Sequence, residues 1–183
     1  DALPISANQK ADDKSSVPNI KSYKELEDSY RSGYNAGVRL GKPSKIGNSY
    51  LHVIDFDVRD ERKIDEANVT LDDLLGDVDK EKLSCAISGS GGASRHYYIL
   101  LDKPVHSRKL AQSDKKIIME DGSEHLQWEI ELFGTGKQVV IPPSIHPSGG
   151  EYKWGRAFIS DFEKTYSYSK EEKNYILNDY VHL

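Results

Sequence analysis

An α+β fold is what this 183-residue sequence predicts. Strand-like runs are numerous and short, helix-like runs are few, and no strict strand–helix–strand unit repeats. Two segments alternate apolar with acidic residues, around Ile54–Val58 and Trp128–Phe133, as strands with one buried and one wet face do. The length suits a single domain over residues 1–183, with room for a real core.

Residues 1–19 are polar, carry Pro4 and Pro18, and read as an extended lead-in with little core. Residues 22–32 suit a short helix, with Ser22 as cap, Tyr23, Leu26 and Tyr30 at helical spacing, and Gly33 as its end. A strand near Gly37–Leu40 and a Gly-Lys-Pro-Ser turn at 41–44 precede Tyr50–Val58, the clearest strand. Thr70 and Asp73 have the spacing of a capping box and predict a helix running to about Lys82. Ala86–Ser88 reads as a short strand, Gly89–Gly92 as a glycine-rich loop and His96–Leu101 as a strand. The polar stretch after Pro104 is expected to hold a short helix or hairpin ending at the Asp121-Gly122 turn. Leu126–Phe133 and Gln138–Ile141 are predicted to pair as a hairpin around Gly134–Lys137. A rigid loop at Pro142–Gly150, a returning strand at Tyr152–Trp154 and an amphipathic helix over Lys170–Val181 complete the chain.

The net charge of −5 excludes a general basic coat for nucleic acid. It does not exclude binding, because a site that gathers carboxylates around metal ions reverses its local sign. Positive charge is grouped at Arg59–Arg62–Lys63, at Arg108–Lys109 with Lys115–Lys116, and at Lys153 with Arg156. The plain alternative for each group is a solvated face. The single cysteine, Cys85, closes no disulfide within the chain and builds no Cys-rich zinc site, so no zinc is expected. No apolar run reaches the ~18–20 residues of a membrane span, so no membrane partner is expected. A reducing, intracellular setting such as a cytoplasm follows. Since the chain opens on Asp1 rather than Met, it is expected to be a piece of a longer protein.

Asp55 and Asp57 stand two apart on a strand, so they project from one side while Ile54, Phe56 and Val58 point into a core. Two carboxylates this close repel unless a cation or another positive group lies between them. Hard oxygen ligands suit Mg²⁺ or Mn²⁺. The alternative is a strand-end pair facing solvent. Glu129 and Glu131 repeat the geometry opposite Trp128, Ile130 and Leu132. An antiparallel pairing with the first strand would collect three or four carboxylates on one patch; a strand with an ordinary wet face is the alternative for Glu129.

Ser88-Gly-Ser-Gly-Gly-Ala-Ser94-Arg95-His96 joins a flexible loop to a strand. Glycines allow backbone N–H groups to turn toward an anion, and Ser94, Arg95 and His96 add donors, with Ser94 and His96 on one side. It is not a Walker A loop, since the Lys-Ser/Thr ending is missing. The alternative is a glycine-rich hairpin loop without a ligand. In the stretch Gly134–Trp154, Pro142 and Pro143 stop the strand and aim the loop, holding Ser144 and His146 in place. A stiff connector without chemistry is the competing reading.

In this order, Asp55/Asp57, Ser94/His96, Glu131 and the run Gly134-Thr-Gly-Lys-Gln-Val-Val-Ile-Pro-Pro-Ser144-Ile-His146 to Tyr152 resemble the primase–polymerase domain of the archaeo-eukaryotic primase superfamily, of the plasmid and virus replication-protein type. Gly33–Gly41 is similar to that family's lead into its first catalytic strand. The resemblance covers about residues 33–154. It implies an RRM-like sheet flanked by helices with a smaller α/β unit, and template-directed DNA primase/polymerase activity on nucleoside triphosphates. Asp55, Asp57 and Glu131 would bind two divalent ions. Ser94, Arg95 and His96 would contact the nucleotide's phosphates, with Ser144 and His146 near it. DNA template and primer would be the partners, with a helicase or helical accessory domain elsewhere in the full-length protein. Glu131 stands where the family more often has Asp.

Rival readings are a metal-dependent nuclease, which leaves the Ser-x-His loop without a purpose, and a non-catalytic RRM-like binding module. The latter should carry stacking aromatics where this sequence has carboxylates. A replication-initiator endonuclease would want a His-x-His pair, and none occurs.

Overall fold

The computed structural model describes residues 2–6 and 34–156. Within them the chain is α+β, with one α-helix and mostly antiparallel strands. The helices expected at 22–32 and 170–181 lie outside the described residues, as does most of the 1–19 lead-in. Its first residues are extended, as expected, but in a sheet: strand β1 (Ala2–Ser6) pairs with β2 (Tyr34–Arg39).

Strands β3 (Lys45–Ile46) and β4 (Ser49–Val58) follow a turn in which Ser44 N donates to Gly41 O. Helix α1 (Ile64–Leu75) comes next. It starts earlier than the Thr70 signal predicts. Asp60 caps a 3₁₀ turn at Glu61–Lys63 as the chain leaves β4, its carboxylate accepting from Arg62 N, and the turn runs straight into α1. Thr70 is therefore mid-helix, where its hydroxyl donates to Glu66 O. The helix stops at Gly76 rather than near Lys82, and Lys80–Lys82 forms a separate 3₁₀ turn.

Strands β5 (Ser84–Ile87) and β6 (Arg95–Leu101) flank the glycine-rich loop. The stretch after Pro104 forms β7 (Arg108–Gln112) and the hairpin β8 (Lys116–Ile118) and β9 (Glu124–Leu126), which turns at Asp121-Gly122. Strands β10 (Trp128–Phe133), β11 (Gln138–Ile141) and β12 (Lys153–Arg156) complete the described chain.

The main sheet runs β12-β5-β6-β4-β10-β7, with β3 beside β4, and a smaller sheet runs β1-β2-β11. The predicted β10–β11 hairpin does not form. β10 pairs with β4 and β7, whereas β11 crosses to β2 in the other sheet. The switch is made at Gly134, where an added Cβ would collide with the Val105 carbonyl, and at Thr135, whose N–H donates to that same carbonyl at 2.8 Å. The turn thus abuts the segment entering β7 and cannot fold back along β10.

Each face of the main sheet has its own core. On one side Ile54, Phe56 and Val58 of β4 meet Ala67, Leu71 and Leu75 of α1, together with Tyr97, Ile99, Trp128, Ile130 and Leu132. On the other, Leu51, Val53, Ala86 and Tyr98 pack under Leu40, just past β2, and Val139 of β11. Because strand residues alternate, Asp55 and Asp57 share the second face, beyond Val53. No helix among the described residues is long and apolar enough to cross a membrane.

Leu71 is fully buried beneath the sheet. Leu71→Ala should lower the free energy of unfolding by about 2–5 kcal/mol, read from the midpoint of a urea transition. A loss under about 1 kcal/mol would contradict this packing of α1.

Candidate active site

Hydrogen-bond register assembles the site. Asp55 on β4 lies opposite Glu131 on β10 and opposite His96 on β6, while Asp57 lies opposite Glu129. Residues that face one another across a ladder point to the same side of the sheet. Four carboxylates and an imidazole therefore share one surface, as the sequence pattern predicts for the acids. The row extends to Lys109 on β7 and, through Ala86, to Trp154 on β12.

Arginine supplies much of the countercharge. Arg59 Nη2 is 2.6 Å from Asp57 Oδ2 and 2.8 Å from Glu129 Oε1, and Lys109 Nζ is 3.0 Å from Glu129 Oε2. The signal for Arg59 lies in the sequence: it continues the Asp-x-Asp alternation by one more step of two. Hydrogen bonds and charge from Lys109 and Arg59 outweigh the effect of burial on Glu129 and bring its carboxyl below the usual range. Asp57 goes the other way. Burial above all, with Asp55 and Glu129 nearby, pushes it up despite Arg59 and a hydrogen bond from Ser94. Burial, then Glu129 and Asp55, also push Glu131 up, against the weaker pull of Lys137 and Lys109.

His96 Nε2 is 3.3 Å from Asp55 Oδ1. Its Nδ1 is enclosed and has no hydrogen-bond partner, an unmet valence that buried polar groups rarely keep. Tyr152 stands between two imidazoles, 6.0 Å from the His96 ring and 5.9 Å from that of His146. Burial, opposed by a hydrogen bond with Ser88 and aided by Asp55 and Asp57, raises the Tyr152 phenol. Burial lowers His146, against the pull of Asp57.

The other expected residues sit where their chemistry is more indirect. Ser94 is buried, accepting from Val58 N and donating to Asp57 Oδ1, both at 3.0 Å, so it clamps an acid to its strand. Arg95 alternates to the opposite face, near Phe56 and Tyr97, and its guanidinium donates to the carbonyls of Gly92 and Ser94. It is not brought to the acid row. Ser144 is buried and locks its loop to β2, accepting from Ala36 N at 2.9 Å and donating to Ala36 O. Asn35 brackets the next residue, with its amide donating to Ile145 O and its carbonyl accepting from Ile145 N. Sequence reasoning gave no role to Asn35.

The glycine-rich loop and the 142–150 loop touch through glycines. A Cβ on Gly89 would lie 2.6 Å from His146 Cβ, and one on Gly150 would strike the Gly89 carbonyl. These glycines allow two loops to close against each other beside Asp57, which a side chain at either position would prevent.

The donor chemistry fits a divalent cation, since Asp55, Asp57 and Glu131 offer hard oxygens and burial, with like charge beside it, already pushes two of them up. Among the described residues these side chains do not gather three donors about one point. Arg59 meanwhile holds Asp57.

The family described as "Bifunctional DNA primase/polymerase, N-terminal" matches residues 2–163. The chain belongs to this family. No curated protein and no solved structure matches it. For a primase/polymerase domain, the acid row on an open sheet face now has a chemical context.

Burial of Glu131, with like charge beside it, has a measurable consequence. Its carboxyl pKa is raised on folding, so it favours the fold at low pH, and that contribution is lost as pH rises through the folded value. In metal-free buffer, Glu131→Gln should therefore raise Tm at pH 7, with the gain shrinking as pH falls through the folded value and gone below about pH 4.5, the unfolded value. A lower Tm at pH 7 would show that the charge is stabilised where it sits.

Proposed function

We propose that this domain is a template-directed nucleotidyltransferase that adds nucleotides from nucleoside triphosphates to a 3′-hydroxyl during DNA replication. The observation that supports it is the register placing Asp55 against both Glu131 and His96 on the open face of the main sheet. Asp55, Asp57 and Glu131 would hold Mg²⁺ or Mn²⁺. Bound there, two such ions would activate the attacking hydroxyl and neutralise the departing pyrophosphate.

The chain's own residues position and screen. His96, set against Asp55 and with a ring nitrogen unmatched, would donate to a phosphate oxygen of the incoming nucleotide. Tyr152 and His146 would wall the same pocket, held there by the Ser144 and Asn35 contacts to β2. Ser94 would act by fixing Asp57, and Arg95 by restraining the glycine-rich loop through Gly92. Arg59 would hold Asp57 and Glu129 in register until a nucleotide arrives, and Lys109 would keep Glu129 ionised. Fixed charges of this kind act without reorganising during the reaction. An RRM-like sheet, with α1 behind it and the site in front, is the architecture this proposal adopts. A DNA template and primer as partners, an intracellular location and an accessory domain elsewhere in a longer protein belong to the same proposal.

The test is extension of a labelled primed template with dNTPs or NTPs and Mn²⁺ or Mg²⁺. The parent should extend, and Asp55→Ala/Asp57→Ala should lose at least about a hundredfold. Template cleavage in place of extension would turn the reading to a nuclease, and binding without turnover to a non-catalytic module. His96→Ala should raise the nucleotide KM more than the Kd for DNA; equal losses would remove it from the triphosphate. Separately, Mn²⁺ should raise the parent's Tm and not that of Glu131→Gln, because only a ligand of the folded state shifts the transition. Equal shifts in both would take Glu131 out of the metal site.

A further inference from the structure

The edge strand β12 carries a combination of groups that the catalytic reading leaves unused. Its outer rim has no strand partner among the described residues, and all four of its residues are exposed. Trp154 is 37% exposed and packs against the Tyr98 ring, with centroids 5.6 Å apart and planes tilted by 48°. Its register puts it on the row that leads through Ala86 to His96 and Asp55. Three strand spacings of about 4.8 Å set it roughly 14 Å from Asp55.

The other side of the same strand is basic. Lys153 pairs with Ile87 and Arg156 with Cys85, so both fall on the helix side of the sheet. There Arg156, Arg95 and Lys80 line a cavity of about 370 Å³ floored by Phe56 and Tyr97. Lys80 is held by Asp72 at 2.7 Å, and Glu81 also lines the cavity. Lys153, Arg156 and Arg95 place three cationic side chains near this edge, in a chain whose net charge is −5. The three basic side chains lie on one side of the edge and an exposed indole on the other. That pairing suits a single nucleic-acid strand, whose bases stack on aromatic rings while cations track its phosphates. A duplex keeps its bases stacked internally and would leave the indole idle.

We infer that the β12 edge is a docking surface for single-stranded nucleic acid. Trp154 takes a base on the catalytic side, and Lys153 and Arg156 meet phosphates as the strand crosses the rim. That the strand is the template rests on the polymerase reading; the docking itself does not.

The experiment titrates a single-stranded DNA 12-mer into the protein in EDTA while following tryptophan emission and the anisotropy of a label on the strand. The chain has two tryptophans, and Trp128 is only 4% exposed, so a change in emission reports Trp154. Emission should be quenched in step with binding. Trp154→Ala should weaken binding about five- to a hundredfold, and Trp154→Phe, which keeps a ring against Tyr98, should restore most of it. Lys153→Ala/Arg156→Ala should reduce the slope of log K against log salt by about 1.4. Binding without quenching, unchanged affinity in Trp154→Ala, or equal quenching by a duplex of the same sequence would each overturn the inference. Quenching in a protein that extends no primer leaves the docking edge standing while the polymerase reading falls. Extension without quenching does the reverse.

Discussion

The antiparallel ladders between β4 and its neighbours β6 and β10 hold Asp55, Asp57, Glu129, Glu131 and His96 in place. Side chains on a strand alternate with a period of two, so a slip of β10 by one residue would reverse both of its faces. Trp128, Ile130 and Leu132 would leave the core beneath α1, and Glu129 and Glu131 would enter it. Removing three large apolar side chains from burial costs about 1.5–3 kcal/mol each, before any charge for the buried carboxylates. The apolar packing under the helix therefore enforces the acid row on the opposite face. Fold stability and site geometry rest on the same hydrogen bonds.

That arrangement works against itself electrically. Asp57 and Glu131 are both pushed above the usual carboxylate range, and burial is the first cause in each. Glu129 escapes because Lys109 and Arg59 sit on it. The acids are thus unequal: one pair is bridged by a guanidinium, while Glu131 has only the weaker pull of Lys137 and Lys109. A surface kept in such tension persists because its supports are rigid. Ser94 holds Asp57, Asn35 and Ser144 pin the histidine-bearing loop to β2, and Gly89 and Gly150 let two loops close together. The strain sits beside the groups that a divalent ion and a triphosphate would satisfy, a common arrangement at functional sites.

The main sheet also separates its tasks by position. One face is sealed by α1, the other is shared between the smaller sheet and the acid row, and the rim at β12 is left exposed. The indole lies on the same register row as the acids, with Lys153 and Arg156 around the corner, and between them the row passes beneath the smaller sheet at the fully buried Ala86.

Much of this was legible in the residues. Alternation in Ile54-Asp55-Phe56-Asp57-Val58 and Trp128-Glu129-Ile130-Glu131-Leu132 determined which side chains face water, because strand geometry leaves no other choice. The family motifs located the same residues in the same order. Arg59 stood out only as part of a positive group with Arg62 and Lys63, and its pairing with Asp57 and Glu129 was not visible. Nothing local reveals that β11 leaves β10 for another sheet, because a glycine turn serves a hairpin or a crossover equally well; the close approach of Gly134 to Val105 decides it. The start of α1 was misread for a like reason. Thr70 has a capping pattern, but Asp60 is the residue that stands where the chain leaves β4. Likewise Ser94 and Ser144 looked like ligand donors, while tertiary contacts turn their hydroxyls onto the backbone and onto Asp57. Periodicity along a chain sets the face a side chain takes. Which distant backbone group then claims it depends on how separate strands come together, and only the folded molecule contains that information.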